Sequence, residues 1–251
     1  MAGQPFPPFG SLGDVRRAGE VLRRAAAKRG ELPSIMEVRE ARAVVEAYRS
    51  AHAEPLHAAY MGLRSCLTSE GLDVAPSRRL KRLPTIEDKL RRIPTMDLSS
   101  MQDIGGCRAV LDTQEQVQRV VERFCANSRR RNRRSDKIRD YVAQPRDSGY
   151  RAIHVHTSYH GRRIEVQLRT REQDSWAKIV EDLTGRTGID FKSGDGPDAV
   201  HDLLRELSES LSRREPGQPN TEDLMDILTR LARMAAFGSA VTSRHQGAEE
   251  E

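Results

Sequence analysis

The sequence predicts an α+β core flanked by helices at both ends, and three observations carry that reading. Two β-type runs, Ala152–Tyr159 and Arg163–Leu168, flank His160-Gly161, the composition of a tight hairpin turn. The central block alternates strand-like and helix-like patterns rather than repeating one of them. Long stretches on either side of that block carry apolar residues at helical spacing.

Residues 1–12 are rich in Pro and Gly and read as a disordered N-terminus. Residues 13–70 form an N-terminal helical region, helical from Asp14 to Arg29 and again from Ser34 to Glu70. In the second stretch Val38, Val45, Tyr48, Leu56, Leu63 and Leu67 belong to an interrupted apolar stripe, which Pro55 divides.

Residues 71–190 form the core. Pro84-Thr85 opens a helix, since Pro is well placed in a first turn. Cys107–Leu111 reads as a buried strand and Gln114–Cys125 as an amphipathic helix with Val117, Val120, Val121 and Phe124 on one face. A strand around Ile138–Val142 leads through the turn-rich Pro145–Gly149 to the hairpin. The helix Arg171–Leu183 follows, with the single tryptophan, Trp176, and then a glycine-rich loop from Gly185 to Pro197. Residues 191–237 hold two C-terminal helices, marked by Leu203, Leu204, Leu207 and Leu211 and by Leu224, Ile227, Leu228 and Leu231. Residues 238–251 are a polar, frayed tail.

Composition narrows the function classes. With 42 Lys+Arg against 37 Asp+Glu the net charge is +5, an excess that suits an anionic ligand without demanding one. Aromatics make up 4% of residues, too few for an aromatic-rich single-strand-binding surface. Cys66, Cys107 and Cys125 are widely spaced, with no CxxC pair, and read as buried thiols of a reducing compartment. No apolar run approaches a membrane span and no secretory leader is visible, so the expectation is a soluble, cytoplasmic protein with no membrane partner.

Several residue groups have the chemistry of a phosphate site. Arg79 and Lys81 project the same way from an extended segment, and Thr85 and Lys89 lie one helical turn apart near a helix N-terminus. There is no GxxxxGK[ST] loop. Asp103 precedes Gly105-Gly106, so a carboxylate able to reach a metal sits beside backbone able to approach phosphate. On the second hairpin strand Ile164, Val166 and Leu168 face the core, while Glu165, Gln167 and Arg169 face the other way as a solvent face or the floor of a site.

Taken in order, R-x-K-x-x-x-T-x-x-x-K, D-x-G-G-x-R, R-D-Y-V-x-x-P-R-x-S-G-Y-R-x-I-H and E-V-Q-L-R-T resemble the synthetase domain of the RelA/SpoT family. The resemblance spans Ser77 to Glu181 and includes W-A-x-x-x-E at Trp176–Glu181. The length, without attached regulatory domains, resembles a small alarmone synthetase. The resemblance implies a nucleotidyltransferase-like mixed β-sheet flanked by helices. It implies a pyrophosphokinase that moves the β,γ-pyrophosphate of ATP to a ribose 3′-hydroxyl, with Mg²⁺ as cofactor.

By the same resemblance, Arg79 and Arg108 sandwich the adenine of ATP, while Lys81, Thr85 and Lys89 contact its phosphates. Asp103 and Glu165 form the catalytic and metal pair, with Glu165 also a candidate for taking the 3′-hydroxyl proton. Tyr150 stacks on the acceptor base, His154 contacts phosphate or positions the acceptor, and Arg139, Arg146, Gln167 and Arg169 complete the acceptor set. Arg139 and Arg146 stand where the family usually has lysines, and Ser148 stands where many members have asparagine. His201-Asp202 lacks the other ligands of a metal-dependent hydrolase site.

The leading reading is synthesis of (p)ppGpp from ATP and GTP or GDP. The alternative is a toxic small alarmone synthetase that pyrophosphorylates the 3′-terminal adenosine of tRNA and blocks translation. Its Ser148-Gly149-Tyr150 loop resembles that branch, and the basic runs Arg16-Arg17, Arg23-Arg24, Lys28-Arg29 and 129–134 offer backbone charge for RNA. Synthesis of (p)ppApp is a third reading. The apolar faces of the terminal helices suit a homo-oligomer or a neutralising antitoxin protein.

Overall fold

A computed structural model describes residues 10–27, 32–130, 137–214 and 222–246. The expected N-terminal segment up to residue 9, Lys28-Arg29 and residues 131–134 lie outside the described residues. The chain divides into two compact units: residues up to 109 with 120–138 and 155–167, and residues 110–119 with 139–154 and 168 onward.

In the first unit, α1 (Leu12–Ala27), α2 (Ile35–Ser50) and α4 (Leu83–Arg92) bury Val15, Leu22, Val45, Tyr48, Ile86 and Leu90 in one apolar cluster. Each such side chain contributes about 1.5–3 kcal/mol by leaving water. Ser34 and Glu37 form a reciprocal capping box that starts α2. The break before α3 (Ala53–Ser69) falls at Ala51-His52 and not at Pro55. Pro55 instead lies in the first turn of α3, where its missing N–H costs no helical bond.

The sheet has five strands in the order β1-β2-β5-β4-β3: β1 (Ser77–Leu80), β2 (Gly105–Leu111), β3 (Lys137–Asp140), β4 (Ile153–Tyr159) and β5 (Arg162–Thr170). β1 and β2 are antiparallel, with Arg79 opposite Gly106 and Leu80 opposite Gly105. A Cβ at Gly105 would stand 2.7 Å from Cδ1 of Ile164, so the Ile164 side chain would have to shift to admit one. His160 (φ 48°) and Gly161 (φ 73°) both take left-handed backbone, the two-residue turn that matches strand twist and closes the expected hairpin. Helix α5 (Gln114–Arg130) extends a turn beyond the expected Cys125. Its apolar positions Val117, Val120, Val121 and Phe124 are buried as their spacing required.

In the second unit, α6 (Arg171–Thr187), α7 (Asp198–Ser212) and α8 (Glu222–Gln246) pack around Trp176, Leu204, Leu207, Ile227 and Leu231. The indole N–H of Trp176 donates to the Leu204 carbonyl at 2.8 Å. The expected loop from Gly185 begins only at Gly188, because buried Leu183 and the Arg186–Asp182 ion pair carry the helix through Gly185. Gly188 (φ 73°) then ends it in a left-handed cap. Likewise α8 continues past Gly238, where a frayed tail was expected.

The three cysteines are buried thiols. Burial pushes the Cys107 thiol up to about 12, against the pull of Arg78, so a thiolate is not available at neutral pH. Among the described residues no helix is long and apolar enough to cross a membrane.

Candidate active site

In the first unit, a cleft of about 210 Å³ is lined by Arg79, Lys81, Asp103, Arg108, Glu165 and Gln167 among others. The elements explain the gathering. Alternation along β1 turns Arg79 and Lys81 to one side, and the Lys81 amide extends the β1–β2 ladder by donating to Ile104 at 2.8 Å. Asp103 lies two residues before β2, and Arg108 is on that strand. Glu165 and Gln167 project from the same face of β5.

Asp103 is the electrostatic centre. Its Oδ2 accepts from Lys81 Nζ at 3.1 Å and from Lys89 Nζ at 2.8 Å. Burial pushes this carboxyl up, but the Lys81 and then the Lys89 ammonium outweigh burial and hold it below its ordinary range, with the Glu165 charge opposing them. The other oxygen, Oδ1, is buried without a hydrogen-bond partner. Glu165 is also largely covered. Its Oε2 accepts from Gln167 Nε2 at 2.5 Å, and its Oε1 lies 3.6 Å from His156 Nε2. An orphaned buried carboxylate oxygen and a second carboxylate in one cleft form a hard-oxygen donor set that fits Mg²⁺. Thr85 lies in the first turn of α4 but is not in the cleft lining.

The second unit holds the aromatic part of the sequence motif. Gly149 (φ 86°) makes the turn that brings Tyr150 inward, and a Cβ there would meet the Leu204 carbonyl and Arg205 Cα at 3.1 Å. Tyr150 is 3% exposed, with the rings of Tyr141 and Trp176 at 5.9 and 6.0 Å. Its hydroxyl pairs with His154 Nε2 at 2.7 Å, and Arg169 donates to it at 3.4 Å. Arg146 is exposed, donates to the Tyr141 hydroxyl at 3.1 Å, and lies 4.5 Å over that ring and 5.5 Å over Tyr150. Arg139 is exposed on β3.

Arg169 is wholly buried and ion-paired with Asp174 at 3.4 Å, and Lys178 holds the second Asp174 oxygen at 2.8 Å. Ser148 is buried, with its Oγ unpaired.

Sequence reasoning passed over Tyr141, Asp174 and His156 as individual site residues. For His156 the signal was present: a two-residue turn at 160–161 sets position 156 opposite 165 on the antiparallel partner strand. For Asp174 no sequence signal existed, since it pairs through a helix turn packed against the β5 end.

Residues 78–185 match the model for the region found in RelA / SpoT proteins. The chain carries a RelA/SpoT region. That region takes in the cleft residues from Arg79 to Gln167 and the Tyr150 loop. The chain is 29% identical over 183 residues to the GTP pyrophosphokinase YjbM of Bacillus subtilis (strain 168), covering 69% of this chain and 79% of that protein. The crystal structure of small alarmone synthetase 1 from Bacillus subtilis bound to its product pppGpp superposes with a TM-score of 0.50 at 27% identity. That match covers 73% of this chain and 94% of the other. A GTP pyrophosphokinase family protein from Streptococcus pneumoniae has the same fold, with a TM-score of 0.55 at 22% identity over 76% of this chain and 96% of that one. The mixed five-stranded sheet flanked by helices is thus the fold of the RelA/SpoT region, as its motifs implied.

Proposed function

We propose that this chain is an ATP-dependent pyrophosphokinase that transfers the β,γ-pyrophosphate of ATP to the ribose 3′-hydroxyl of GTP or GDP. The observation that carries the reading is Asp103 with two lysines on one oxygen and a buried, orphaned second oxygen, in a cleft shared with Glu165. The naming of YjbM as a GTP pyrophosphokinase and the pppGpp bound to small alarmone synthetase 1 support the same activity.

The chemistry follows from the residue types. The acceptor 3′-oxygen bonds to the β-phosphorus, the bond from that phosphorus to the α–β bridging oxygen breaks, and AMP leaves. Such transfer depends on positioning and charge neutralisation more than on covalent help. Lys81 and Lys89 bind the phosphates, exchanging the Asp103 carboxylate for phosphate oxygens. Asp103 and Glu165 would hold Mg²⁺, which supplies neutralisation of phosphate charge. Glu165 takes the proton from the 3′-hydroxyl, and the Gln167 amide orients its carboxylate. Arg79 and Arg108 flank the adenine with planar, weakly hydrated guanidinium groups, and Thr85 adds a hydroxyl at the start of α4. Arg139, Arg146, Tyr150, His154, Gln167 and Arg169 serve the acceptor, with the exposed Arg146 and the partly buried Tyr141 ring as its stacking elements and the buried Tyr150 as the support that holds them.

A guanine nucleotide is read as the acceptor because the names of YjbM and of the pppGpp-bound small alarmone synthetase 1 point to one. The test is transfer of label from ATP, with Mg²⁺ present, to GDP, GTP, AMP and deacylated tRNA offered separately. Label on GDP or GTP is expected. Label on tRNA alone replaces this reading with the translation-blocking one and makes a neutralising partner protein the next thing to seek. Label on AMP alone makes the product pApp and replaces the guanine reading with adenosine alarmone synthesis, and label on no acceptor removes the enzyme reading.

A further inference from the structure

The His156 imidazole stands beside the Glu165 carboxylate. The two residues face each other across the β4–β5 hairpin, with Nε2 3.6 Å from Oε1. Two donors on one ion, each about 2.0–2.2 Å from it and 90–110° apart, stand roughly 3.0–3.4 Å from each other. The observed spacing is therefore within a small side-chain rotation of a shared ion. Both side chains are mostly covered, at 20% and 12% exposure, so neither sweeps freely through water. Glu165 Oε2 is turned to Gln167, which leaves Oε1 on the His156 side.

Asp103 explains why a neutral donor is useful in this cleft. Its charge is already balanced by two ammonium groups on Oδ2, and only the buried Oδ1 remains for a cation.

We propose that His156 is a ligand to the divalent cation held by Glu165, adding a nitrogen donor beside the cleft and a preference for borderline transition ions over Mg²⁺. This rests on the reading of Asp103 and Glu165 as the cation pair. Carboxylates alone suit Mg²⁺, whereas imidazole strengthens binding of ions such as Co²⁺, following the usual order of first-row affinities.

The test uses the full chain without nucleotide. Co²⁺ is titrated into wild type, His156→Leu, His156→Asn and Glu165→Gln, with binding followed by the visible Co²⁺ spectrum and by Mg²⁺ competition. Wild type should bind Co²⁺ roughly tenfold or more tightly than Mg²⁺, and both His156 variants should lose Co²⁺ affinity by roughly tenfold or more while keeping Mg²⁺ affinity. The asparagine variant preserves polarity, and circular dichroism confirms that each variant is folded. Wild-type Co²⁺ affinity in a folded His156 variant, or no Co²⁺ preference in wild type, overturns the proposal. Label transfer to GDP with Mg²⁺ then still stands on its own. Conversely, Co²⁺ binding that depends on His156 survives a failure of label transfer.

Discussion

Lys89 Nζ lies 2.8 Å from Oδ2 of Asp103, and Lys81 Nζ reaches the same oxygen at 3.1 Å. Two ammonium groups thus converge on one oxygen of the carboxylate proposed to hold a cation. Asp103→Asn should free both lysines yet remove a cation ligand. We expect transfer to fall by about a hundredfold or more, since such electrostatic groups typically contribute that much. ATP affinity without metal should hold or rise, as measured by calorimetry. A variant that turns over like wild type would take Asp103 out of the cation site.

Glu165→Gln keeps the shape of the side chain and removes its charge and basicity. Turnover should fall by about 10²–10⁴-fold, the usual range for a positioned general base. ATP binding should change little, and undiminished single-turnover transfer would remove Glu165 from the chemistry.

Tyr150 combines core packing with a polar tip, so two variants separate its roles. Tyr150→Phe removes the hydroxyl that faces His154 and Arg169 and should cost about 1 kcal/mol of stability. Tyr150→Ala leaves a cavity beside Trp176 and should cost about 3–5 kcal/mol, with a larger loss in acceptor use than in ATP use. Urea titration gives the first quantity and substrate kinetics the second. Equal losses for both substrates would make the ring purely structural.

Gly149→Ala places a Cβ at φ 86° and 3.1 Å from the Leu204 carbonyl. The left-handed conformation alone costs roughly 1–2 kcal/mol for a side-chain-bearing residue. The midpoint of urea unfolding should drop accordingly, and an unchanged midpoint would mean the loop relaxes at no cost.

His52 is fully buried, with its Nδ1 2.8 Å from the Tyr48 carbonyl. Burial, only partly offset by that bond, lowers its pKa from 6.5 to about 4. The folded value is depressed, so its contribution to stability is complete above pH 6.5 and is lost as pH falls toward 4. The melting temperature of wild type should therefore decline from pH 7 to pH 4.5 more steeply than that of His52→Gln. Parallel curves would assign the acid sensitivity to other groups.

Much of the site was legible because its chemistry is carried by local spacing. Arg79, Lys81 and Lys89 follow from alternation along a strand and one turn of a helix, and His160-Gly161 sets the pairing of the whole β4–β5 hairpin. The ends of α6 and α8 were less legible. Gly185 and Gly238 read as breaks, and at Gly185 burial of the nearby Leu183 outweighs the roughly 1 kcal/mol that glycine costs inside a helix.

By itself the sequence determined the α+β order of elements, the hairpin register and the charged residue types of the candidate cleft, since each depends on interactions between near neighbours in the chain. Only the tertiary structure decided that Lys81 and Lys89 share one oxygen of Asp103, that Arg169 is buried against Asp174 and Tyr150, and that His156 faces Glu165 at 3.6 Å. Those outcomes turn on side-chain direction and burial, which fix how strongly charges interact and which no spacing rule contains.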